Sequence, residues 1–160
     1  MLCLVVVLVA AFASSASAQT PSTLSFYEPA TGGEFAIVDI GPKSPVENPE
    51  SRKYRFSLGD QLVFNQRLLN RKGGTQVGNV YARFTVVKGK TFASLVVAAD
   101  GAFVLNNGDQ IAVYGIFKFS SADVRLAITG GTGAYAAARG SFTSHNNADN
   151  SSQDTLTLLP

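Results

Sequence analysis

Short apolar runs alternate with polar or glycine-rich breaks along the chain, and no stretch holds a 3.6-residue period. That pattern predicts strands. Residues 34–40 (EFAIVDI) are the first strand expected: alternation at the start, then nearly all apolar apart from Asp39. Residues 19–33, with Pro21, Pro29 and paired glycines, read as an irregular arm whose Phe26 and Tyr27 lie against the domain. Pro42, Pro45 and Pro49 remove ladder donors, which makes 41–55 a loop. Gln61–Leu69 is a strand. Residues 75–87 alternate, with Val77, Asn79, Tyr81, Arg83, Thr85 and Val87 on one face and Gly78, Val80, Ala82, Phe84 and Val86 on the other. Gly78 marks a bend or a close approach. Lys88-Gly89-Lys90 turns the chain into a strand over 91–105, kinked at Asp100-Gly101. Asn107-Gly108 is a hairpin signal. Strands over 110–119, 124–129, 140–144 and 155–159 complete the set. About eight short-linked strands make a meander. The reading is all-β, an eight-stranded antiparallel β-barrel over residues 34–160, with an open sandwich as the physical alternative. Glycines inside strands suit the coiling of a barrel.

Residues 128–142 read ITGGTGAYAAARGSF. Gly130, Gly131 and Gly133 allow positive φ, so a tight reversal follows the strand. Tyr135 is the one large apolar group of the turn and is expected to plug one end of the core. Arg139-Gly140 then leads into the next strand. A phosphate-cradling loop would want a helix start and a Lys or Ser/Thr after the last glycine. Ala-Tyr-Ala follows instead, which favours a structural turn.

Composition narrows the function classes. A chain of 160 residues with 46% hydrophobic content is one domain with a real core. With 15% charged residues and a net charge of +2, no nucleic-acid surface is expected. Residues 2–12 are an apolar run followed by Ala16-Ser17-Ala18, an A-x-A cleavage pattern; residues 1–18 read as a signal peptide, with a mature start near Gln19 and secretion to the cell exterior. No Lys or Arg precedes the run, and it is too short for a comfortable membrane span. Cys3, the only cysteine, lies in that leader, so the mature protein has no disulfide and no thiol nucleophile. His145 is the only histidine, and a solvated loop position is a simpler reading for it than a triad. One imidazole and no thiolate leave a zinc site without ligands. Neither metal nor cofactor is expected. Asn150-Ser151-Ser152 is a glycosylation sequon, of consequence only in a eukaryotic source.

GGTGAYAAARG resembles the GGTG-aromatic-ARG signature of plant dirigent proteins, and is similar to the matching turn of allene oxide cyclases, which share the barrel. The likeness extends over most of 34–144: 57–78 resembles the second strand, its turn and the Val-Gly entry to the third, and 35–45 resembles the first strand with its Ser-Pro loop. It implies an apolar central cavity and a homotrimer. Of the cyclase's polar set, the first-strand carboxylate and amide fall on Ala36 and Val38, a second-strand amide on Gln66 and a third-strand cysteine near Phe84, while Ser44 and Pro45 match. The dirigent pattern has an Asp-Ile pair, met by Asp39-Ile40; its arginine after the fifth-strand glycine is replaced by Ile116. By resemblance the chain is a secreted dirigent-like barrel, in the apoplast if from a plant. It would bind an apolar or phenolic molecule and steer stereoselective coupling of phenoxy radicals made by a separate oxidase. A cyclase or isomerase, or a carrier, is the alternative. Asp39 is then the catalytic candidate, an acid in the pocket, with a loop cap at Gly41 as the competing role. Tyr81, Arg83, Phe84 and Tyr114 are the ligand-binding candidates. The tyrosines can equally be wall residues, and Arg83 a surface charge or a partner of Asp39. Arg139 either fastens the glycine turn or touches ligand.

Overall fold

The structure, a computed structural model, describes residues 22–49 and 51–160; the signal-peptide expectation for residues 1–18 lies outside them. Nine strands follow one another: β1 (Ser22–Glu28), β2 (Glu34–Val38), β3 (Gln61–Leu69), β4 (Gln76–Lys88), β5 (Val96–Leu105), β6 (Gln110–Lys118), β7 (Asp123–Gly131), β8 (Gly140–Asn146) and β9 (Ser152–Leu158). Among the described residues the only helical elements are the 3₁₀ turns Phe92–Ser94 and Gly133–Tyr135. All pairings are antiparallel, and β3 to β9 run as a meander. β1 lies along β9 from Ser22↔Leu158 to Glu28↔Ser152 and meets β3 at Tyr27↔Leu69, which closes an eight-stranded barrel. β2 is a ninth strand laid on the remaining edge of β3.

The expected irregular arm therefore contains the closing strand, and the barrel begins at Ser22, not Glu34. Its sequence, STLSFYE, is a half-buried alternation in which Leu24 and Phe26 pack against the core while Ser and Thr face out. Four polar residues in a seven-residue segment beside Pro29 and the glycines hid it, because its partner is 130 residues away in sequence. Between Tyr27↔Leu69 and Glu34↔Asn65 the chain advances seven residues while β3 advances four. The excess bulges out as 29–33, pinned where the Gln66 side-chain amide donates to the Pro29 carbonyl at 2.8 Å.

Gly78 sits beside a register shift, and a Cβ there would overlap the Val104 carbonyl, a close approach as the sequence indicates. Asp100-Gly101, expected as a kink, pairs without interruption as Arg83↔Asp100 and Ala82↔Gly101; the irregularity of this hairpin lies instead at Val87. In the glycine turn, Thr129 is the extra residue of a bulge, and Gly130 has φ 154°. Gly133 has φ 55° and Gly140 φ 145°, all in space that L side chains avoid. Thr132 Oγ1 accepts the Gln110 amide at 3.0 Å, and Tyr135 packs against the core with Ala138 and Leu158. The Arg139 guanidinium donates to the Pro160 carbonyl, and the Leu159 amide donates to the Arg139 carbonyl at 2.9 Å. The turn is thus a structural plug that also fastens the end of the chain.

At the opposite end, 51–60 folds over the barrel and brings Tyr54 and Phe56 against Leu62, Val86, Leu95 and Val97. Asp60, fully buried, ties this flap down. Its carboxylate accepts the Ile40 amide at 2.9 Å, the Gly41 amide at 3.2 Å and the Ser57 amide at 2.7 Å.

Candidate ligand cavity

Strand alternation decides which side chains meet inside. Phe64 and Gln66 of β3, Val80, Ala82 and Phe84 of β4, Ala99 and Phe103 of β5, Val113 and Phe117 of β6 and Phe142 and Ser144 of β8 line a cavity of about 840 Å³. That size lies within the ~300–1,000 Å³ of small-molecule sites. The cavity opens among the 29–33 bulge, the 120–122 turn and the 146–150 loop, at the end away from the glycine plug. Phenylalanine dominates its wall. Phe84 is the hub, with ring centroids of Phe64, Phe117 and Phe119 at 6.5, 5.7 and 5.9 Å. Among the described residues no Lys, Arg, His or Tyr lines it.

Glu28 brings a carboxyl to this wall, with Asp154 buried behind it; Glu34 and Asp100 also reach the lining. Glu28, last residue of β1, lines the cavity opposite Ser152. Asp154 lies one inward position down β9, fully buried between Phe26 and Ser144. Neither Asp154 carboxyl oxygen has a donor at hydrogen-bond geometry; its polar neighbours are the Glu28 carboxyl and the Ser144 hydroxyl. Burial pushes the Glu28 carboxyl well above its ordinary value, and the Asp154 charge and a hydrogen bond shared with Asp154 add to it. Burial also raises Asp154, against the opposing effect of hydrogen bonds from Glu28 and Ser144. Two carboxyls buried side by side resist ionising together, so the pair keeps its protons to higher pH than exposed carboxyls do.

This has a sign in stability. Both folded-state values are raised, so the favourable contribution is complete below the ordinary carboxylate range of about 4 and is lost as pH rises through the folded values. The slope reaches about 1.4 kcal/mol per pH unit for each group that titrates there. Thermal unfolding is therefore expected at lower temperature in mild alkali than in mild acid, and Glu28→Gln should flatten the profile. A flat profile in the unmodified protein would contradict the pair.

The sequence-derived candidates divide. Phe84 lies in the cavity, and so does Gln66, which lines it beside the bulge. Tyr81 and Tyr114 stand on the outer face of the barrel, 50% and 52% exposed, because they alternate with inward Val80, Ala82 and Val113. Arg83 shares that face and forms a bidentate pair with Asp100 at 3.1 Å, not with Asp39. These three line a shallow external groove instead. Asp39 follows β2, and its carboxylate accepts the Ser44 amide at 3.1 Å; it lines no cavity and acts as a loop cap. The inward acid on the barrel's first strand is Glu28. Exposed His145 pairs with Asp123 at 2.7 Å. Asn150 sits at the cavity rim with φ 62°. Both carboxyls that matter were missed, although each had a signal. Glu28 continues the Leu24-Phe26 alternation and Asp154 precedes that of Leu156, so both are acids at inward positions.

Comparison with known proteins agrees with this geometry. A pyocyanin demethylase is similar in fold, with TM-score 0.63, 21% identity and 87% of this chain and 99% of that chain covered. A pterocarpan synthase dirigent protein gives TM-score 0.65 at 17% identity over 89% and 97%. An exo-specific intermolecular Diels-Alderase gives 0.59 at 13% over 88% and 98%. None of the curated proteins compared with the chain matches it. At these identities the likeness carries the fold alone. The family model of dirigent-like proteins matches residues 10–159, nearly the whole chain, which therefore belongs to the dirigent-like protein family.

Proposed function

We propose that the protein takes an apolar or phenolic guest into the Phe-lined cavity and sets the stereochemistry of a bond-forming step there, with the Glu28–Asp154 pair passing a proton to and from the guest. The observation that carries this is the buried Glu28 carboxyl at the wall of a phenylalanine-rich chamber, backed by Asp154, with both carboxyls raised by burial. The step we favour is coupling of phenoxy radicals generated by a separate oxidase, with the protein secreted to where such oxidases act. Coupled phenols pass through quinone methides. Protonation of the quinone-methide oxygen by Glu28 makes the exocyclic carbon electrophilic; a neighbouring hydroxyl closes on it and its proton returns to the carboxyl pair. Incubation with a monolignol and a one-electron oxidant, followed by chiral analysis, is expected to give an enantiomeric excess that grows with protein up to stoichiometry. Racemic product throughout would remove radical coupling of that substrate. The same cavity and acid serve a cyclase or isomerase on a reactive polyene, which would then show turnover without oxidant.

We further propose that the protein assembles as a trimer. The outer face of β3 to β6 supports this: Val63, Tyr81, Tyr114 and Ile116 are exposed together around the Arg83–Asp100 pair, an apolar patch that a neighbouring copy would cover. Light scattering that reads a monomer at micromolar concentration would remove it.

A further inference from the structure

We infer that the cavity selects its guest by charge: neutral and cationic aromatic molecules enter, a cationic nitrogen seats against Glu28 with Asp154 buried behind it, and carboxylates are excluded. This rests on the cavity being the ligand site, as proposed above. Three observations carry it. The described lining contains no cation, so a carboxylate guest would lose its water and gain no partner. Arg67, beside Gly32 of the bulge, lies on the outer face of β3 and not in the lining. Glu28 lines the cavity, and Asp154 lies fully buried beside it at an inward position of β9, so two carboxyls stand together behind one stretch of wall. Carboxyls buried together are costly to ionise unless a positive donor comes to them. A guest ammonium supplies donors and charge together, and the phenylalanine faces around Phe84 add cation–π attraction. A cation beside Glu28 favours its ionised form, so its arrival releases a proton.

Three near-isosteric probes test this by calorimetry on the full mature protein at neutral pH: tyramine (ammonium), tyrosol (alcohol) and 4-hydroxyphenylacetate (carboxylate). Tyramine is expected to bind at least as tightly as tyrosol and to release protons, seen as a heat that depends on the buffer. The carboxylate is expected to bind at least about tenfold more weakly than tyrosol, with the gap closing in acid as its carboxyl protonates. Glu28→Gln should reduce the ratio of tyramine to tyrosol affinity and tyramine's proton release; an unchanged ratio overturns the seat at Glu28. A carboxylate that binds as well as tyrosol overturns charge selection while the cavity reading stands. Failure of tyrosol and tyramine alike overturns both.

Discussion

Glu28→Gln is expected to cost about 100-fold or more in the protein-dependent closure of the quinone methide, and to lower enantiomeric excess with it. General acid help from a positioned carboxyl contributes on the order of 10²–10⁴ in rate. Glutamine keeps the size and one hydrogen-bond donor of protonated Glu28 but has no proton to give. Guest binding should survive, because the Phe64, Phe84 and Phe117 wall is untouched. Binding retained with closure lost separates proton transfer from shape. Unchanged rate and excess in Glu28→Gln would show that shape alone directs the product. Asp39→Ala serves as the control. Its carboxylate lies outside the cavity and holds the Ser44 amide, so that variant should leave excess unchanged.

Asp60→Ala is expected to be the most destabilising single change outside the glycine turn, by roughly 4 kcal/mol, since it strips three main-chain amides of a charged acceptor at ~1.5–3 kcal/mol each before relaxation. For a domain of this size that is a fall in Tm of roughly 10–20 °C. The loss propagates because the same carboxylate fastens both the exit of β2 and the flap carrying Tyr54 and Phe56 over the barrel end. Asp39→Ala removes one partly exposed bond and should cost about 1 kcal/mol or less. Equal midpoints for the two variants in denaturant would show that Asp60 is not the anchor.

The different weights of Asp39 and Asp60 illustrate what could be read from the chain. Alternation gave Gln61–Leu69 at its observed bounds, the two faces of β4 and the Asn-Gly hairpin, since each depends on a period or turn local to a few residues. The glycine plug was legible for the same reason, as positive φ is a property of single positions. Closure was not. β1 is a strand because β9 and β3 lie beside it, and no window around Ser22–Glu28 contains them.

The site divides in the same way. Alternation alone established an all-β chain of strands with one apolar face each, because side-chain period follows from backbone geometry. Only the tertiary structure decided that Tyr81, Arg83 and Tyr114 face outward, that Asp39 is a cap, and that Glu28 and Asp154 meet across 126 residues of chain. Direction relative to the barrel axis depends on which edge each strand pairs with. The raised carboxyl values depend on water being excluded from both groups at once, which no property of either residue alone encodes.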